Sequence, residues 1–324
     1  MGNMFERSTA NYGFVVKALN GIAALDPTLR GRRALARFAA RRLLPVELES
    51  LTYAFAELLG EPAESARRLL HDWFFYRQME AASWNGSSSG RATFPDAGRI
   101  GAYAGACSRG IVVATIHLGD YLEGLRQLRL ATRWSRRVFV IRRALWSELE
   151  EHAFGRVASA ELDITVLRGG RAATTAVREL RRGNVVVALF DLPGRFGRTI
   201  DVELLGRRVR VVRGPAELAV LGDADVLPIV TRYDARGVSV VEAAPVIATQ
   251  SVRTRCEGSQ AHERGRLPRD PRPSRNAREQ RVRDITQRLW RLAETYIRAC
   301  PAQWSNWPMV AELCAPPAGV DASR

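Results

Sequence analysis

Residues 110–123 read GIVVATIHLGDYLE, and the fold turns on how that stretch is taken. After Gly110 the next six side chains are apolar or β-branched, the composition of a strand covered on both faces. His117, Gly119 and Asp120 break the run, and YLEGLRQLRLATRW (121–134) resumes with helical spacing. The pattern repeats outward. RVFVI (137–141), DITVL (163–167), NVVVALF (184–190), DVLPIVT (225–231) and VSVVEA (238–243) are strand-like runs. LWSELEEHAFGRVASA (145–160), RAATTAVRELRRG (171–183) and GPAELAVLGDA (214–224) lie among them, each long enough for a helix of two or more turns. Strand and helix in alternation predict an α/β fold with a largely parallel central sheet flanked by helices. Ligands in such folds bind beyond the carboxyl ends of the strands.

The first hundred residues differ. RALARFAARRLL (33–44), VELESLTYAFAELLG (46–60) and AESARRLLHDWFFYRQMEAASW (63–84) carry apolar residues at helical spacing, with Gly60 and Pro62 between the last two. NGSSSGRATFPDAG (85–98) reads as a connection. The expected organisation is a helical N-terminal part over 1–98 packing on the core, an α/β domain over 99–310, and a tail over 311–324. Residues 249–280, with three prolines, dense charge and almost no large apolar residue, read as a loop or disordered insertion. VRDITQRLWRLAETYIRAC (282–300) then resumes an amphipathic helix. Trp73, Phe74 and Phe75 are expected in the core rather than on a membrane.

Hydrophobic residues make up 46% and charged residues 26% of the 324, which excludes a wholly disordered chain. The formal net charge is +15, almost all of the positive charge being arginine, since Lys17 is the only lysine. Such charge suits nucleic acid, an anionic membrane, an acidic carrier protein or the phosphates of coenzyme A. No zinc-finger spacing, RNP-like strand or basic heptad region is present, so nucleic acid is not the expected partner. Cys107, Cys256, Cys300 and Cys314 form no CxxC pair and read as free thiols. No apolar run approaches the roughly 20 residues of a spanning helix. Glu6 stands where a myristoylation signal needs Ser or Thr, and no long apolar run follows Arg32 and Arg33, so a cytoplasmic location is expected.

Of the four histidines, His71, His117, His152 and His262, only His117 ends an apolar strand-like run and is followed by glycine and acids. A histidine held there by a rigid strand faces the crevice with a near-neutral pKa, suited to taking a proton from a hydroxyl or amine. A carboxylate is needed to fix its tautomer. Asp120 and Glu123 are the candidates, and spacing does not choose between them. LFDLPGRFGR (189–198) places Asp191 at the end of another apolar run, where it either lines the same crevice or caps a turn. Gly86-Ser87-Ser88-Ser89-Gly90 fits a nucleophile-elbow pattern but follows no strand, so it reads as linker.

In order, RGIVVATIHLGDYLE (109–123), VIRR (140–143), RRGNVVVALFDLPG (181–194), the stretch from Val202 to Val230 with its glycine turn, and ACPAQWSNW (299–307) resemble blocks of a known family. It is the lysophospholipid acyltransferase superfamily, in the branch of the late acyltransferases of lipid A biosynthesis and the phosphatidylinositol mannoside acyltransferases. The resemblance covers about residues 30 to 310. It implies an acyltransferase that moves an acyl group from a thioester on acyl carrier protein or coenzyme A to a hydroxyl or amine, with no cofactor. It implies His117 as general base, and Arg142, Arg143 and Arg213 as holders of substrate phosphates, with Asp191 on the substrate as well. The expected acceptor is a lipid at the membrane surface or a small molecule, with peripheral contact to the inner face of the membrane. The chain departs from the family pattern, because five positions after His117 stands Leu122 and not an acid. A non-catalytic protein of the same fold that binds an acyl carrier or lipid is the alternative.

Overall fold

A computed structural model describes residues 45–84, 92–132, 136–142, 148–157, 162–249 and 274–310, with Gly31, Arg33, Ala34 and Leu313. Helices α1 (Pro45–Leu59) and α2 (Ala63–Trp84) lead to strand β1 (Ala92–Thr93) and helix α3 (Ala97–Ala106). There follow β2 (Ile111–Thr115), α4 (Tyr121–Thr132), β3 (Val138–Ile141), α5 (Glu148–Val157), β4 (Ile164–Leu167), α6 (Ala172–Arg181) and β5 (Val185–Leu189). A hairpin of β6 (Thr199–Leu204) and β7 (Arg207–Val212), then α7 (Gly214–Gly222), β8 (Asp225–Tyr233), β9 (Ser239–Ala243) and α8 (Arg275–Ala299) complete the order.

Seven strands form one sheet in the order β1-β9-β8-β2-β5-β3-β4, and β6 pairs only with β7. Every pairing in the seven-stranded sheet is parallel except β8 with β9. All six strand-like runs are strands of this sheet. β2 sits between β5 and β8, and its five side chains are all buried, as a strand with helices on both faces requires. Its alternate residues separate two cores. Val112 and Ala114 face the layer of α1, α2, α6, α7, α8 and the hairpin. Ile111 and Val113 face α3, α4 and α5.

Three expectations are corrected. Thr93 belongs to a strand edge and Ala97 to a helix, so the connection expected over 85–98 contains structure at its end, while residues 85–91 lie outside the described ones. At the other insertion, α8 begins at Arg275 with Ser274 Oγ accepting from the Ala277 amide. Thr249 is buried, and its hydroxyl accepts from Arg109 at 2.5 Å. The loop expected over 249–280 is therefore wrong for Thr249 and for 274–280, while residues 250–273 lie outside the described ones. The hairpin was expected only as a glycine turn: Leu205 (φ 52°) and Gly206 (φ 74°) form its two-residue bend.

Trp73, Phe74 and Phe75 are buried in the first core. Trp73 Nε1 donates to the Trp304 carbonyl at 3.0 Å, and Arg77 Nη2 to the Gln303 carbonyl at 2.9 Å. The N-terminal helix α2 thus holds the C-terminal segment from behind. Among the described residues no helix is long and apolar enough to cross a membrane.

Candidate functional site

Beyond the carboxyl end of β2 the backbone turns through Gly119 (φ 54°). A Cβ there would stand 2.6 Å from the Thr231 carbonyl oxygen of β8, so only glycine lets the turn lie against the neighbouring strand. The segment 301–307 holds this turn from its other side. The Gly119 amide donates to the Gln303 carbonyl at 3.1 Å, and the Ser305 amide to the His117 carbonyl at 2.8 Å. Gln303 in turn bonds both backbone groups of Tyr233 through its side chain, at 2.7 and 2.9 Å. His117 is therefore fixed by two strand ends and a C-terminal clamp.

The carboxylate bonded to His117 is Asp191, at the end of β5. Its Oδ1 lies 2.8 Å from His117 Nδ1. Its Oδ2 accepts from the His117 amide at 2.8 Å and from Trp304 Nε1 at 2.9 Å. With Oδ2 taken by two N–H donors, Oδ1 is the acceptor for Nδ1–H, which assigns the tautomer from the bonding network. Asn306 Nδ2 donates to the Asp191 carbonyl at 2.7 Å and packs 3.1 Å from Nδ1. Nε2 has no partner among the described residues, and the ring lines a cavity. Burial pulls the His117 pKa down, but the Asp191 carboxylate outweighs it and the net shift is upward from the ordinary 6.5.

Neither acid expected beside His117 serves it. Asp120 Oδ1 accepts from the Glu123 amide and from Trp84 Nε1, each at 3.1 Å, so Asp120 caps the start of α4. Burial raises its pKa. Glu123 forms a two-pronged pair with Arg126, both contacts at 2.8 Å. Asp191, expected on the substrate, orients the histidine instead.

The arginines are corrected too. Arg142 lines the cavity, but its Nη2 is 2.8 Å from Glu150 Oε1, its guanidinium lies 4.2 Å over the Phe154 ring, and the pair is buried. The same Glu150 oxygen accepts from the Tyr121 hydroxyl at 2.6 Å. Arg213 stands at the start of α7 and pairs with Glu217 and Glu279, and it does not line the cavity. Arg143 lies outside the described residues, as do His262, Cys256, Cys314 and the run 86–90. His71 and His152 sit on α2 and α5, away from the cavity lining.

The cavity, of about 60 Å³, lies between the sheet and helices α4 and α5. Thr115, Val140, Val187 and Leu189 form the sheet wall, Tyr121, Leu125 and Phe154 the helix wall, and half-buried Leu192 and Phe196 the outer edge. It is mostly apolar, the polar lining being His117, the Thr115 and Tyr121 side chains and the Arg142–Glu150 pair. Such a site offers a proton acceptor beside an apolar chamber, with a carboxylate to stabilise the imidazolium. Among the described residues no group of three or more His, Cys, Asp or Glu is placed to hold a metal ion.

Tyr121, Glu150, Trp304 and Asn306 are site residues that the sequence alone did not single out. Trp304 and Asn306 stand in ACPAQWSNW, whose two tryptophans flanking polar residues were the available signal. No protein-family model matches this chain, and no curated protein matches it.

Proposed function

We propose that this chain is an acyltransferase of the lysophospholipid acyltransferase kind. It moves an acyl group from a thioester of acyl carrier protein or coenzyme A to a hydroxyl or amine. The observation that carries the reading is the His117–Asp191 pair at 2.8 Å, which leaves Nε2 at an apolar cavity.

His117 Nε2 takes the proton of the acceptor as its oxygen or nitrogen attacks the thioester carbonyl. Asp191 holds the ring and stabilises the imidazolium. As the C–S bond breaks, the same proton passes to the departing thiolate, so the ring ends neutral and one acyl bond has replaced another. No cofactor enters these steps. The order of sequence blocks from residue 109 to residue 307 supports the family assignment, and the missing acid at Leu122 is answered by Asp191 on the neighbouring strand. The acceptor is a lipid at the inner face of the membrane, reached by peripheral contact, or a small molecule.

The test is intact-mass detection of transfer from carrier-protein and coenzyme A thioesters to lysophospholipid, sugar-lipid and amine acceptors, each beside His117→Ala. Turnover that the variant lacks is the expected result. Turnover equal in the two proteins, or none with any pair of substrates, would overturn it.

A further inference from the structure

We infer that the Thr115 hydroxyl is a substrate-binding group, and that the acceptor carries a second hydroxyl that bonds it inside the cavity. The inference rests on the acyltransferase reading and narrows the acceptor to a small diol or amino alcohol. Thr115 ends β2 and lines the cavity with His117, two residues on. It lies on the side of the strand that Ile111 and Val113 bury in the second core. The other four side chains of β2 are Ile, Val, Val and Ala, so a hydroxyl here is the exception. Thr115 is only 8% exposed, yet no described residue bonds its hydroxyl, and the oxygen opens on the cavity.

The rest of the polar lining is engaged. His117 gives Nδ1 to Asp191 and keeps Nε2 for the acceptor. Tyr121 and Arg142 both bond Glu150 Oε1. The Thr115 backbone is held by its pairing with Leu189, and its carbonyl accepts from the Phe190 amide at 3.1 Å. Branching at Cβ restricts the side chain on that fixed backbone, so the hydroxyl is set in place before substrate arrives. A buried hydroxyl without a partner costs stability, and in the free protein water can supply the bond. A ligand that displaces this water with an alkyl group forfeits the bond, and one that brings a hydroxyl restores it. The acceptor is the molecule that meets Thr115, because the atom that gives Nε2 its proton must lie within hydrogen-bond reach of the ring. Thr115 is the next polar group inward along β2. Two residues of strand separate the two levels by about 6–7 Å, comparable to the reach between the two ends of a four-carbon amino alcohol.

The experiment compares 4-aminobutan-1-ol with butan-1-amine as acceptors for the wild type, Thr115→Val and Thr115→Ser, with acyl thioesters of coenzyme A and of acyl carrier protein as donors. In parallel, saturation-transfer NMR follows binding of the same two amines without donor. In the wild type, kcat/KM for the amino alcohol should exceed that for the amine by about three- to tenfold, the scale of one neutral hydrogen bond. Thr115→Val should bring the two acceptors level, chiefly through KM, since the bond exists before and during reaction. Thr115→Ser should keep the preference. Valine suits a strand covered on both faces, and Thr115→Ala carries the test if Thr115→Val does not fold. Equal acceptors in the wild type, or an unchanged preference in a folded Thr115→Val, overturns the inference while leaving the acyltransferase reading intact. So does a preference that follows a hydroxyl on the acyl chain, 4-hydroxybutanoyl over butanoyl, and not one on the acceptor. Preferential binding of the amino alcohol, lost in Thr115→Val, without transfer from any donor does the reverse. Neither preference nor transfer overturns both.

Discussion

His117 and Asp191 are 74 residues apart in the chain and 2.8 Å apart at Nδ1 and Oδ1. They meet because β2 and β5 are parallel neighbours in register, Thr115 opposite Leu189, so that the residues two beyond each strand-end pair arrive side by side. Asp191→Asn keeps the shape and removes the charge. The expected loss in kcat is about 10²–10⁴-fold, the range associated with a disturbed orienting carboxylate. Because the net shift on His117 is upward, the acid limb of the wild-type pH–rate profile should lie above 6.5. In Asp191→Asn the main group opposing burial is gone, leaving only Glu150 and Glu80 to raise the ring's pKa, and the limb should move to lower pH. Glu123→Gln, which alters contacts to Arg126 and Gln127 and none to His117, should leave both quantities nearly unchanged. A limb that stays put in Asp191→Asn would show that another group controls the histidine.

The same register explains what the sequence could and could not tell. The six strands were legible because apolar β-branched runs such as IVVAT and VVVAL are buried on both faces and leave few other readings. His117 was legible because one polar ring ends such a run. Its partner was not, since the order of strands in a sheet is set by packing rather than by sequence distance. Local spacing pointed to Asp120 and Glu123, whose bonds turned out to be those of a helix start. The β6–β7 hairpin carries alternating burial over DVEL and RRVRVV, but its outward arginines and acids mask the pattern. The clamp by Gln303, Trp304 and Asn306 depends on contacts 70, 113 and 189 residues apart in the chain, to Tyr233, Asp191 and His117.

Gly119 tests the turn itself. Gly119→Ala places a methyl 2.6 Å from the Thr231 carbonyl oxygen and forces a side chain onto a left-handed backbone. Overpacking of this kind costs about 1–3 kcal/mol, readable as a lowered urea midpoint. Activity should fall with it, because His117 is two residues away. Stability equal to wild type would mean the turn has more room than the distances give.

Glu80 sets an acid-side slope in stability. Its ion pair with Arg77 is buried, and burial pushes its carboxyl from 4.5 up to about 7. Between those values the folded chain holds a proton that the unfolded chain has released. Unfolding then sheds protons, so stability is highest at the acid end and declines as pH rises from 4.5 to 7. The contribution is on the order of 3 kcal/mol across that window. His117, also raised, adds a decline of the same sign above 6.5. Glu80→Gln should flatten the urea-derived stability profile between pH 4.5 and 7, and an unaltered slope would place the titration elsewhere.

Arg142 and Arg213 were both expected on substrate phosphates, and their surroundings separate them. Arg142 and Glu150 have side chains only 7% and 6% exposed, with the Tyr121 hydroxyl on the same carboxylate. Removing one charge leaves the other buried and unpaired, so Arg142→Met should cost about 3–5 kcal/mol in urea unfolding. Glu150→Gln in the same chain removes the stranded charge and should restore most of that loss, which a phosphate-binding arginine would not predict. Arg213 pairs with Glu217 and with Glu279, the latter 46% exposed. Arg213 is itself only 5% exposed, but water reaches Glu217 and Glu279 once it is gone, so Arg213→Gln should cost less than Arg142→Met and leave the KM for the donor unchanged. A donor KM raised tenfold in Arg213→Gln would return that side chain to the substrate.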